Sequence, residues 1–283
     1  MKKIIPFKVE KIWGYELWLR SPLKGKETYY ENGRKTKDGL LIKIIQADEP
    51  LSIQIHPSDG AAYDLDEREK GKAESWFVLD ADWTSKIVHG MSFWYWDTFD
   101  ELNREEEEMD FRIIKNMKKV KEYFNVRRVN KGEFIDIPAG RIHGLGFKGA
   151  ANIRVIEAQT PSDLTYRIYD YDRVDSKTGK PRDLHFVDAN FSYEYRKNLC
   201  LIDDETRPLE HGKFDGFEND FSQQFIISNH APTDKAWRAG YVITQSDKDE
   251  YGYCLYEVKA NEVFPEGSIY FIAPRYKKDF DVF

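Results

Sequence analysis

Residues 132–143 read Gly-Glu-Phe-Ile-Asp-Ile-Pro-Ala-Gly-Arg-Ile-His. Gly132 opens a turn, and Phe134-Ile135-Asp136-Ile137 forms a short strand. Pro138-Ala139-Gly140 then makes a tight reversal, because proline presets φ and glycine tolerates the opposite sign. The strand that follows carries His143 back toward the interior of the sheet. A lone buried histidine is most often structural, so the rest of the chain must say whether His143 has partners.

Outward from this stretch, short β-branched and aromatic runs recur: Leu40–Ile45, Leu51–Ile55, Trp76–Leu79, Ile153–Ala158, Phe225–Ser228, Cys254–Val258 and Ser268–Ile272. Gly, Pro, Asp or Asn bound them, and 15% of the chain is aromatic, which suits half-buried sheet faces. The spacing predicts a mostly β protein, a sandwich or barrel rather than alternating βαβ units. Two stretches break the pattern and are expected to be helical inserts, about 58–73 and 98–124. In the second, Phe111, Ile113, Ile114, Met117, Val120, Tyr123 and Phe124 include apolar residues three or four apart, the spacing of an amphipathic helix, and Glu105–Glu108 reads as a solvated face. Residues 173–184 read as an exposed loop. The predicted organisation is a metal-binding domain over 1–195 and a second, smaller β domain over 196–283. The latter is short enough to borrow strands from the N-terminus.

A chain of 283 residues can bury a substantial core. Its net charge of −7 argues against nonspecific nucleic-acid binding, which needs a basic surface. No apolar run approaches the ~18 residues of a membrane helix. Two cysteines, Cys200 and Cys254, make neither a disulfide framework nor a thiolate zinc site. The N-terminus has no signal-peptide pattern, so a cytoplasmic protein is expected.

Partners for His143 exist. In Leu51-Ser52-Ile53-Gln54-Ile55-His56-Pro57, strand alternation sends Gln54 and His56 to one face, about 7 Å apart along the backbone. Enclosed polar groups are costly unless something satisfies them, and a metal ion would; a solvated face is the alternative. In Gly71-Lys72-Ala73-Glu74, the carboxylate stands at the entrance of an apolar strand, with Lys72 on the same face. It reads either as a metal ligand or as half of a surface ion pair. Gln54, His56, Glu74 and His143 together would offer two nitrogens and two oxygens, a set that suits zinc and does not exclude manganese, iron, cobalt or nickel. His89, His185, His211 and His230 lack partners at ligand spacing and read as structural or exposed. Lys43, alone within Leu40-Leu41-Ile42-Lys43-Ile44-Ile45, faces either solvent or a polar cavity.

The Gly132–His143 spacing matches the second motif of the cupins, which implies a jelly-roll β-sandwich or barrel. More closely, the chain resembles the type I phosphomannose isomerases of the short bacterial class. The resemblance rests on Ile12-Trp13-Gly14, Leu51–Pro57, Gly71–Glu74, Pro138–His143, Ser162–Arg167 and Tyr169–Arg173, in that order. It runs from about residue 10 to 190 and is weakest toward the C-terminus, where 266–274 only echoes a last strand. It implies one Zn²⁺ held by Gln54, His56, Glu74 and His143. It further implies catalytic roles for Arg167 and Lys72, and substrate binding by Ser52, Lys43 and Trp13. The implied second unit is cupin-like and carries no metal ligands. The implied reaction interconverts mannose 6-phosphate and fructose 6-phosphate through an enediolate. The substrate partner is then a small sugar phosphate, with no nucleic acid and no membrane.

Removing a proton beside a carbonyl puts negative charge on oxygen, which a metal ion and a permanent cation such as Arg167 would offset. Read without the family, Arg167 and Asp163 could instead form a structural salt bridge. Two other functions fit the sequence: a non-catalytic phosphosugar-binding regulatory homologue, and another metal-dependent cupin enzyme such as a dioxygenase.

Overall fold

The computed structural model of the protein describes residues 1–37, 39–92, 111–114, 117–149, 152–175, 178–198, 226–228, 240–259, 261–265 and 268–272. Every strand-like run singled out in the sequence lies on a strand. Three sheets form. The central one is ordered β10 (Phe134–Ile137), β7 (Glu74–Ala81), β12 (Ile153–Gln159), β5 (Leu41–Ala47), β3 (Gly14–Arg20) and β2 (Phe7–Lys11). The facing one is ordered β13 (Tyr166–Tyr169), β6 (Ile53–Ile55), β11 (His143–Leu145), β8 (Lys86–Met91) and β9 (Phe124–Arg128). The third is ordered β14 (Ile226–Ser228), β17 (Ile269–Ile272), β15 (Gly240–Gln245), β16 (Tyr253–Val258), β1 (Lys2–Ile5) and β4 (Tyr29–Tyr30). All recorded pairings are antiparallel, as in a jelly-roll.

Period-two alternation explains the layering. On β5, Ile42 and Ile44 point outward and meet Ile4, Leu17, Leu19, Phe77, Ile156, Tyr241 and Leu255, so the third sheet covers the outer face of the central one. Ile45 and Ala47 point inward and join Val78, Ile87, Ile135, Leu145 and Val155 between the central and facing sheets. Each such aliphatic side chain taken out of water contributes about 1.5–3 kcal/mol. The outer face of the facing sheet is covered by Phe111, Ile114 and Val120 packed against Ile53, Ile55, Val88 and Phe124.

The first helical insert is shorter than expected, and the described part of the second is only partly helical. In the first, only Asp59–Asp64 is helical (α1), with Ser58 Oγ accepting from the Ala61 amide as its N-cap. In the second, residues 98–110, including Glu105–Glu108, lie outside the described residues. Phe111–Ile113 is a 3-10 turn, and among the described residues the helix α2 covers Met117–Tyr123. Phe124 belongs to β9 instead, paired with Met91. Its place in the apolar pattern came from packing on the same core, not from continuing the helix. Two further short helices follow, α3 (Phe186–Phe191) and α4 (Tyr195–Asn198).

Candidate metal centre

The inner faces of the two facing sheets are apolar at one end and polar at the other, and the polar end is the site. On the facing sheet, strict register lines up Arg167, Gln54, His143 and His89 across four strands: Arg167 is opposite Gln54, Gln54 opposite His143, and His143 opposite His89. Directly opposed residues share a face, so all four look into the sandwich. His56 follows β6 by one residue. From the central sheet, Glu74 enters at the start of β7.

His56, Glu74 and His143 converge. Their ligand atoms lie within 4.8 Å of one another, and all three side chains are buried. Glu74 Oε2 is 3.2 Å from His56 Nε2, and Glu74 Oε1 is 3.2 Å from His143 Nε2. The two imidazole rings are 4.7 Å apart, and the Trp76 ring meets the His143 edge. His143 Nδ1 lies 2.9 Å from the Arg141 carbonyl. A carbonyl only accepts, so Nδ1 carries the proton and Nε2 presents a lone pair to the cluster. Both ring nitrogens of His56 and both oxygens of Glu74 are buried without a well-directed hydrogen bond among the described residues. Burying such groups unsatisfied is costly, and a divalent cation is the species that would satisfy them together. The residues fit a metal.

Charge at the site follows the same logic. Burial, aided by Lys72, pushes the His56 imidazole down to about 3, against the pull of Glu74. Burial alone would raise the Glu74 carboxyl, but Lys72 and the two histidines hold it well below the ordinary range. The cluster therefore holds His56 as a neutral imidazole beside the Glu74 carboxylate, the protonation states a metal requires of those two groups. Lys72 Nζ stands 2.8 Å from Glu74 Oε2.

Gln54 lies beside the cluster, its Nε2 3.3 Å from His143 Nε2 and its Oε1 accepting from Ser52 Oγ at 3.0 Å. A half-turn of the amide exchanges its oxygen and nitrogen without changing its shape. Oε1 then faces the cluster and the Ser52 oxygen accepts. Ser52 is thus a neighbour of Gln54. Lys43 does face the interior, where its ammonium is bound by Glu157 Oε1 at 3.2 Å and Gln159 Oε1 at 3.1 Å, over the Trp18 ring. Burial lowers its pKa, but Glu157 and Glu16 outweigh that and raise it overall. Arg167 is half-buried, and its Nε has no hydrogen-bond partner among the described residues. It does not pair with Asp163, which bonds Lys26 at 2.5 Å instead. Trp13 is not brought to the cluster. Its ring lies between Lys11 and Arg182 and packs on the apolar end of the sandwich.

Glu157 is a further buried member of the site that no motif in the sequence singles out. It sits on the inner face of β12, opposite both Lys43 and Trp76, and also accepts from Trp76 Nε1 at 3.0 Å. The available signal was an acid inside the run Ile153-Arg154-Val155-Ile156-Glu157-Ala158, where strand alternation puts it on the face of Val155. His89 is structural, as read. It is buried and neutral, lowered by burial and then by Arg141, with Nε2 donating to the Asp136 carbonyl at 3.0 Å. His185 accepts from the Arg167 amide. His211 and His230 lie outside the described residues.

This geometry can be set beside known proteins. No family model matches the chain. Mannose-6-phosphate isomerase ManA of Bacillus subtilis (strain 168) is 34% identical over 172 residues, covering 61% of this chain and 46% of the relative. Mannose-6-phosphate isomerase of Streptococcus mutans is 34% identical over 160 residues, covering 55% and 44%. The crystal structure of mannose 6-phosphate isomerase from Bacillus subtilis superposes with a TM-score of 0.60 at 18% identity, over 96% of each chain. A variant of phosphomannose isomerase from Salmonella typhimurium gives 0.58 at 12% identity, over 97% of each. The fold is that of the phosphomannose isomerases. In sequence, the matched stretch spans about half the length of the curated relatives. The likeness in fold extends over nearly the whole chain, so the third sheet has a counterpart in the phosphomannose isomerase structures.

Proposed function

We propose that the protein is a metal-dependent aldose–ketose isomerase that interconverts mannose 6-phosphate and fructose 6-phosphate. The observation that carries this reading is the convergence of His56, Glu74 and His143 on one buried point, in a chain that resembles mannose-6-phosphate isomerases in sequence and fold. Gln54, His56, Glu74 and His143 would hold the ion, and zinc suits two imidazole nitrogens with two oxygens. When bound, the ion supplies electrostatic stabilisation of the negative charge that develops on oxygen during isomerisation.

The chain's own residues do the rest. Trp76 and the apolar inner face keep water from the cluster. Lys72 keeps Glu74 ionised, and its ammonium can donate to a substrate oxygen beside it. Arg167, on the same face as Gln54, brings a permanent cation whose fork suits two oxygens of an enediolate or a phosphate. Ser52 orients the Gln54 amide. Lys43 and Glu157 form a buried ion pair that sets the field behind Glu74 and Trp76. The site belongs to a unit of about 1–195 and the third sheet to a unit of about 196–283, with β1 and β4 crossing over. We place the enzyme in the cytoplasm.

The test is formation of fructose 6-phosphate from mannose 6-phosphate in a coupled assay, with metal analysis of the purified protein and with chelator added. Turnover that tracks one bound ion per chain supports the reading. Phosphosugar binding without product would point to a regulatory homologue, and oxygen consumption with a phenolic substrate to a dioxygenase.

A further inference from the structure

The turn that presents His143 is clamped by a segment more than fifty residues away in sequence. Asn198, at the end of α4, is completely buried. Its Oδ1 accepts from the Ile142 amide at 2.8 Å, and its Nδ2 donates to the Gly140 carbonyl at 2.7 Å and the Glu194 carbonyl at 2.8 Å. These contacts bracket Arg141, one residue before it and one after. Arg141 is the residue whose carbonyl accepts from His143 Nδ1. Neighbours reinforce the clamp: Arg141 Nε donates to the Lys197 carbonyl at 2.5 Å, and Lys197 Nζ donates to the Ala139 carbonyl at 3.0 Å. The Gly140 amide donates to the His56 carbonyl at 2.8 Å, which ties the turn to a second member of the cluster. The fit is close. Gly140 has φ +85°, and a Cβ there would fall 2.2 Å from Glu194 Cγ.

We infer that Asn198 is a positioning residue for the metal ligand His143, acting through the Gly140–Ile142 backbone. This rests on the metal reading proposed above. The residue type is dictated by the contacts. Only a carboxamide offers one acceptor and two donors from a single short side chain; aspartate has no donor, and serine cannot span all three partners. Outer partners of a metal-bound histidine fix its tautomer and ring orientation, so loosening them weakens metal binding without removing a ligand.

The experiment is titration of the chelator-stripped protein with cobalt(II), whose visible absorption reports coordination. It is run on the parent chain, Asn198→Asp, Asn198→Ser and, as a control remote from the site, Ile4→Ala. Circular dichroism and thermal melts in chelator test folding. The expected result is that a folded Asn198 variant binds cobalt(II) about tenfold or more weakly, with an altered spectrum, while Ile4→Ala melts earlier but binds like the parent. Unchanged affinity in a folded Asn198 variant overturns the inference, as does equal weakening in Ile4→Ala or failure of both Asn198 variants to fold. A parent chain that binds no cobalt(II) overturns the metal reading and this inference with it.

Discussion

At the scale of single residues, the site is a set of buried polar groups held by one another. Ser52 spends its hydroxyl on Gln54. Ser52→Ala should leave the fold intact and weaken metal affinity by roughly 10–100-fold, as loss of an outer partner does; a metal titration checks it. Lys43 is a different case. It lies between Glu157 and Gln159 with almost no exposure. Lys43→Met would strand Glu157 as a buried, uncompensated charge and should cost about 3–5 kcal/mol by urea unfolding. The pH dependence has a definite sign. The Lys43 pKa is raised on folding, so its contribution is fully present below its ordinary value near 10.5 and is lost as pH climbs through the higher folded value. The gap between parent and variant should therefore hold at neutral pH and shrink only in strong alkali. Strand alternation left Lys43 facing either solvent or a polar cavity, and its partner was not legible, because Lys43–Glu157 joins positions 114 residues apart.

Among the elements, the short loop before β7 binds the two halves of the site. Lys72 N donates to the Pro57 carbonyl at 2.9 Å, so the segment carrying His56 runs against the segment carrying Glu74. Gly71 permits this approach. A Cβ there would fall 2.4 Å from the Ser58 carbonyl carbon and 2.6 Å from the Pro57 oxygen. Those are backbone atoms, so Gly71→Ala must push the two segments apart. It should lower stability by about 1–3 kcal/mol and lower metal content as well, read by thermal melts and by metal analysis. Gly71 was visible in the sequence as part of a motif, but its physical role was not, since nothing local says which backbone lies against it. The helix expected over 98–124 shows the converse error. Period-three-and-four spacing reported correctly that Phe111, Ile114, Val120 and Phe124 share a core. It could not report that Phe124 reaches that core from a strand, because a side chain can arrive at the same buried face from either backbone.

For the whole molecule, the N-terminal strand does the joining. β1 pairs with β16, and Ile4 is buried between the third sheet and the central one. Lys3 adds an ion pair to Asp249 at 2.7 Å. Hydrogen bonds from Cys254 and Lys3 pull the Asp249 carboxyl down to about 2. A carboxyl lowered on folding stabilises above its unfolded pKa of about 3.9 and gives that up as pH falls toward its folded value. Asp249→Asn should thus cost up to about 1 kcal/mol at neutral pH, the scale of a partly exposed pair. The difference should narrow as pH falls from about 4 toward 2, followed by urea midpoints.

What the amino-acid order determined by itself is local: strands from alternation, the Pro138–Gly140 reversal, and the shared face of Gln54 and His56, because backbone preference and side-chain direction are set within a few residues. What only the tertiary structure decided is who meets whom. Glu157 closing on Lys43, Asn198 gripping the turn before His143 and β1 completing a distant sheet depend on sheet order and register, and these are fixed by packing the entire chain at once.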